Sequence, residues 1–306
     1  MSYSTRVHHF KSLTPQSCAY ELGREDSRNA VVFIGGLGDG PHTIPYVRTI
    51  AQHLKSSRPD LSYSIFEIRM TSSFGGFGFS SLQNDVADIS ALVSHLRGEL
   101  GRQKVVLLGH STGCQDCMEY AARTATATGT GTENGAVPAV DGFVLQGPVS
   151  DREALSLSMS QHDTDAAIAW AEGLIKTGQG DEVMPRTMVP AFKTPITAYR
   201  WWSLAGRGGD DDYFSSDLPD TRLAEIWRPF SKPVLILHSA EDEHVPPSVD
   251  VKACTDKWMS FCAPGIATSL SGSIPGANHR VEKTDAQQWM ANTVAAFLDN
   301  VERFGG

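Results

Sequence analysis

One pentapeptide constrains this chain more than any other feature. Gly109-His110-Ser111-Thr112-Gly113 follows the apolar run Lys104 to Leu108 and precedes the helix-compatible stretch CQDCMEYAART. A buried strand, a G-x-S-x-G turn and a helix in that order are what a nucleophile elbow requires. Glycines two residues either side of the serine allow a turn too tight for side chains. The serine hydroxyl would then project from the carboxyl edge of a sheet, beside a helix N-terminus. A chain built around such a turn needs further strands to make up that sheet.

The rest of the sequence supplies them. Ala30 to Ile34, Tyr63 to Ile68, Phe143 to Leu145 and Val234 to Leu237 are short apolar runs that read as buried strands, and Thr268 to Ile274 is a weaker one. Between them lie helical spacings over Thr43 to Ser57, Ser81 to Leu100 and Trp289 to Val301. Ser80 followed by Gln83 suggests a capping box before the second of these. Such alternation implies βαβ units, a mainly parallel sheet and helices on both faces. Arg6 to Phe10 and Ser17 to Leu22 are expected as an antiparallel hairpin at the sheet edge. The rhythm breaks twice. Thr124 to Ala136 is low in complexity and reads as a surface loop. Residues 149–229 carry helical fragments, prolines, Trp201-Trp202 and the acidic run Asp210 to Asp212. They read as a lid inserted between core parts 1–148 and 230–306.

A serine hydroxyl needs a base to take its proton. In the α/β-hydrolase chain order the acid and then the histidine follow the serine. His279 lies in a loop after the last expected strand and is the expected base. His238 ends a buried strand, and His162 lies in the insertion. After the penultimate strand, Glu241, Asp242 and Glu243 are the candidate acids. Asp242, three residues before Val245-Pro246, is expected to orient His279, with Glu241 and Glu243 as solvated neighbours. An oxyanion hole needs two backbone N–H groups. Thr112 follows the nucleophile. Leu37 sits in the loop Gly35-Gly36-Leu37-Gly38-Asp39-Gly40, where Gly36 lets the backbone approach a substrate. That loop lacks the Lys-Ser/Thr ending of a P-loop and does not match G-x-G-x-x-G. Phe74 and Phe77 lie in the glycine-rich segment after the second core strand, which reads either as an aromatic lining of the pocket mouth or as a mobile connection into the following long helix. Trp201, Trp202 and Asp211 are the expected contacts from the insertion.

Composition narrows the partners. Net charge is −9 with 26 Lys and Arg against 35 Asp and Glu, unlike a nucleic-acid binder. No apolar run is long enough for a membrane helix. The N-terminal MSYSTRVHHFKSLT lacks the apolar core of a signal peptide, so the expected location is the cytoplasm. Five cysteines there do not suggest a disulfide framework, and Cys114-x-x-Cys117 sits behind the nucleophile without evident redox or zinc partners.

The stretches GGLGDG with Pro45-Tyr46, SSFGGFG, GHSTGCQD, QGPVSDREA, YRWWSL, DDYFSSDL and EDEHVP together resemble an α/β-hydrolase family of fungi and plants that long lacked a functional assignment. They span most of Ala30 to His279. The resemblance implies a serine esterase with the roles given above to Ser111, Asp242, His279, Leu37 and Thr112. It implies no metal and no organic cofactor. It further implies a small-molecule ester as substrate, a ferric hydroxamate siderophore of the fusarinine C type, with iron arriving as cargo. Such a substrate carries free amino groups, which Asp210 to Asp212 and the net charge would attract, unless those aspartates are simply a solvated surface run. Gly35-Gly36 replaces the His-Gly of many lipases but leaves the backbone donor in place. The alternatives are a general carboxylesterase, thioesterase or lipase, or a ligand-binding protein that kept the fold.

Overall fold

The computed structural model describes residues 3–126 and 137–304. Among them, eight strands form one sheet: β1 (Arg6–His9), β2 (Cys18–Leu22), β3 (Asn29–Ile34), β4 (Tyr63–Arg69), β5 (Val105–His110), β6 (Gly142–Gln146), β7 (Val234–Ser239) and β8 (Gly272–Ile274). Their spatial order is β1-β2-β4-β3-β5-β6-β7-β8. β1 and β2 pair antiparallel at one edge, and β2 joins β4 antiparallel. Every other pairing is parallel. β5 is central, with β3 and β6 as neighbours, so a turn at its carboxyl end faces the loops that follow both.

Successive strand side chains point to opposite faces, and this divides the core. Val31 and Phe33 of β3 pack with helices α1 (Tyr46–Ser56) and α9 (Thr284–Arg303). Val32 and Ile34 pack with α2 (Leu82–Gly98) and α3 (Gly113–Thr126). Both layers are apolar because the parallel strands are covered on both sides. Between β6 and β7 lie α4 (Asp151–Leu155), α5 (Gln161–Lys176), α6 (Ala198–Ala205) and α7 (Asp220–Trp227). α5 and α6 share a third apolar cluster, including Ala167, Ala171, Trp201 and Leu204, which also takes in Phe77. α8 (Val251–Phe261) precedes β8.

Three local expectations shift. The cap of α2 is Ser81, whose hydroxyl accepts from Asn84 N–H at 3.3 Å, while Ser80 Oγ turns to Asp85. The last strand is confined to Gly272–Ile274. Before it the chain turns, with Ser271 N–H bonded to Thr268 O and Ser271 Oγ accepting from Ile236 N–H. Of the stretch 124–136, residues 127–136 lie outside the described residues, and 124–126 end α3.

Candidate active site

Ser111 stands between β5 and α3 with φ +54°, a left-handed backbone that a non-glycine residue adopts only when its surroundings enforce it. The enforcing contacts are local. Ser111 N–H donates to Gln146 O on β6 at 2.9 Å. A Cβ on Gly109 would lie 2.2 Å from Gly113 O, and one on Gly113 would lie 2.4 Å from Ile34 O. Only glycines allow strand, turn and helix to approach this closely.

The loop after β3 closes over the elbow. A Cβ on Gly36 would fall 2.6 Å from Ser111 Cβ and 3.2 Å from its Oγ. Leu37 and Thr112 line one cavity, together with Phe77.

His279 Nδ1 is 2.8 Å from Asp242 Oδ2. His279 is 4% exposed. The second carboxylate oxygen of Asp242 accepts from His244 N–H at 3.0 Å. Burial raises the Asp242 carboxyl, but the His279 hydrogen bond and charge, with the His244 amide, outweigh it and hold it below its ordinary value. The His244 ring stands edge-on to His279 with centroids 4.6 Å apart. Its own pKa is lowered by burial and by His279. Glu243 is not merely a solvated neighbour, because its Oε2 accepts from His279 N–H at 2.8 Å. Glu241 pairs with Lys283 at the surface. His238 is buried at the end of β7 against Trp258, and burial lowers it to about 4.

Several residues of the site escaped the sequence reading. Gln146 Nε2 donates to His279 O and to Ser239 Oγ, each at 3.2 Å, and Gln146 Oε1 pairs with His110 Nδ1. His110 is fully buried, its ring centroid 5.0 Å from that of His279. Burial, then the neighbouring His279, lowers its pKa to about 4, so it is neutral at pH 7. Arg280 clamps the oxyanion-side loop: Nη1 donates to Asp39 Oδ1 at 3.0 Å and Nη2 to Thr43 O at 2.7 Å. Gln146 lies in QGPVSD and Asp39 in GGLGDG, motifs whose pattern does not reveal the long-range partners of these side chains.

The expected contacts from the insertion fall elsewhere. Trp201 is fully buried in the third apolar cluster, edge-on to Phe192, and Trp202 is half-buried against the same cluster. Asp211 is 3% exposed, with Oδ2 bonded to Arg200 Nη1 at 2.5 Å and Ser203 Oγ at 2.6 Å. Asp212 is buried against Gly208 N–H and Ser215. Thus only Asp210 of the acidic run is exposed, and it is bonded to Tyr199. Burying the apolar face of α6 draws Arg200 inward, and Asp211 follows to neutralise it. Phe74 is exposed beside Gly40, whereas Phe77 is buried. Cys114 and Cys117 are buried free thiols whose pKa values burial raises. Among the described residues no His, Cys, Asp or Glu cluster could hold a metal ion, and no helix is long and apolar enough to cross a membrane.

The fold and sequence have relatives. The siderophore hydrolase EstB from Aspergillus fumigatus matches with a TM-score of 0.80 and 25% identity, covering 98% of both chains. The fusarinine C esterase sidJ of Aspergillus fumigatus is 26% identical, covering 95% of this chain and 94% of the relative. With the architecture described above, these likenesses make the chain an α/β-hydrolase of the carboxylic ester hydrolase class. Residues 1–299 match the family model described as "Protein of unknown function (DUF1749)", and the chain belongs to that family. The UPF0613 protein PB24D3.06c of Schizosaccharomyces pombe is 31% identical, covering 89% of this chain and 88% of the relative.

Proposed function

We propose that the protein is a serine esterase that opens ester bonds of a ferric hydroxamate siderophore of the fusarinine C type in the cytoplasm, releasing iron for use. The observation that carries the reading is the 2.8 Å Asp242–His279 hydrogen bond beside a strained Ser111 elbow. Likeness to a fusarinine C esterase and to a siderophore hydrolase supports the substrate class.

In this reading Ser111 attacks the acyl carbon while His279 accepts its proton. Asp242 holds the His279 tautomer and stabilises the imidazolium. The Leu37 and Thr112 amides receive the oxyanion. His279 then protonates the leaving alcohol, and water cleaves the acyl-enzyme by the same route. Segment 149–229 serves as a lid whose shape selects the ester.

The test is incubation with ferric siderophores and simple esters, with products read by mass spectrometry. Ser111→Ala should abolish cleavage while circular dichroism and thermal unfolding stay like wild type. Siderophore cleavage by that variant at the wild-type rate overturns the mechanism. Cleavage of simple esters alone overturns the substrate.

A further inference from the structure

The loop between β3 and α1 holds Gly36 against Ser111 and carries Leu37. Its near end leaves the sheet at Ile34. Its far end is fastened to the sheet again, by a side chain that the mechanism above does not use. Glu67 of β4 stands level with Phe33 of β3 in the parallel register, one residue short of the end of β3. Its Oε2 accepts from His42 N–H at 2.5 Å and lies 2.7 Å from His42 Nδ1. His42 has φ +71°, so the chain is held in a left-handed turn where Glu67 grips it.

Glu67 is fully buried. Among the described residues its one ion-pair contact is His42, and its Oε1 has no hydrogen-bond partner. Burial raises the carboxyl to about 7, against the pull of the His42 amide and then of Arg48. A buried acid with so few partners costs stability. An apolar side chain of the same length would avoid that cost but leave His42 N–H without its acceptor. Other ties to this loop come from more exposed residues. Phe74, itself exposed, donates its N–H to Asp39 O at 2.8 Å. Arg280, partly exposed, reaches Asp39 and Thr43 from the loop after β8. Glu67, by contrast, projects from a buried strand.

We propose that Glu67 is a positioning residue for the ester hydrolysis: by holding His42 N–H it fixes the path of residues 35–42, and with it the placement of the Leu37 amide relative to the oxyanion formed at Ser111. The role rests on the esterase reading above and adds to it a residue that acts through the backbone alone. Reach matters in it, not charge. A side chain long enough to present an acceptor to His42 N–H serves, ionised or not.

The experiment measures kcat and KM for phenyl acetate, by phenol release, in wild type and in substitutions at this position. Glu67→Gln keeps an acceptor of the same reach without the charge. Glu67→Asp keeps the charge but is a methylene shorter. Glu67→Met keeps the volume and removes the acceptor. In Glu67→Asp and Glu67→Met, kcat should fall by about tenfold or more with KM changed less than about twofold, since a misplacement of about 1 Å can cost about 100-fold. Glu67→Gln should restore kcat to within about threefold of wild type, because a neutral acceptor still satisfies the amide. Thermal unfolding is followed in each protein, and if Glu67→Met does not fold, the Gln and Asp pair still separates reach from charge. Equal losses of kcat in Gln and Asp, a change confined to KM, or wild-type kcat in a folded Asp or Met variant overturns the role. A wild-type chain that neither cleaves phenyl acetate nor reacts with a fluorophosphonate at Ser111 overturns the esterase reading itself, and the role with it.

Discussion

The side-chain amide of Gln146 donates to the carbonyl oxygen of His279 at 3.2 Å, while the Gln146 carbonyl oxygen accepts from Ser111 N–H at 2.9 Å. One residue at the end of β6 therefore fixes the backbone on both sides of the proposed proton transfer. Gln146→Met removes the amide but keeps the volume. We expect kcat to fall by on the order of 100-fold with little change in KM, the size of effect that follows from misplacing a reacting group by about 1 Å. Stability should drop by about 1–3 kcal/mol, because the buried His110 Nδ1 loses its partner. Steady-state kinetics with a simple ester and the rate of fluorophosphonate labelling check it. A change confined to thermal stability would make Gln146 purely structural.

Asp242 faces His279 with one oxygen and His244 N–H with the other. Asp242→Asn presents either an amide oxygen or an amide N–H to His279 Nδ1, and the latter forces the wrong tautomer. The expected loss in kcat is about 10,000-fold, the scale of that substitution in other serine hydrolases. Residual activity should rise at high pH, where hydroxide can replace the base. Glu241→Gln, at an exposed Lys283 pair, is the control and should change kcat less than about twofold.

What was legible in the sequence follows the range of the interactions. The elbow is five contiguous residues, and its strand and helix are adjacent, so local pattern sufficed. Asp242 and His279 are 37 residues apart, yet chain order in this architecture places them after consecutive strands, and the structure brings them into contact. Gln146 and His279, separated by 133 residues, and Arg280 and Asp39, separated by 241, meet only because β6 and the loops above it converge. No periodicity records such pairs. The acidic run at 210–212 was misleading for the opposite reason. Three adjacent aspartates look exposed in one dimension, but Arg200 eleven residues earlier draws Asp211 into the interior.

The Arg280–Asp39 pair ties the loop carrying His279 to the loop carrying Leu37. Arg280 is partly exposed, but Asp39 is buried, so Arg280→Met leaves a buried carboxylate without its cation. Stability should fall by about 1–3 kcal/mol. The Leu37 amide should also become less well placed. The resulting fall in kcat should be steeper for poor esters, whose transition states carry more oxyanion charge. Equal effects on activated and unactivated esters would show that the clamp supports the fold without aligning the amide.

Asp151 lies at the start of α4, with Gln115 Nε2 donating to its Oδ2 at 2.8 Å. Burial, and then repulsion from Asp211, raises its pKa from 3.8 to about 8, against the attraction of Arg200. A carboxyl raised in the folded state is bound to a proton there longer than in the unfolded chain. Its favourable contribution is therefore complete below pH 4 and is lost as pH rises through 8. Asp151→Asn abolishes this titration. Relative to wild type, the variant should gain stability steadily between pH 4 and pH 8 and show no further relative gain above it. Thermal unfolding of both proteins across pH 4 to 9 reads the difference directly, and other groups, including buried His110 and His238, cancel in the comparison. A difference that stays flat across that window would mean that Asp151 is ionised at neutral pH in the fold, and that Arg200 neutralises it as well as Asp211.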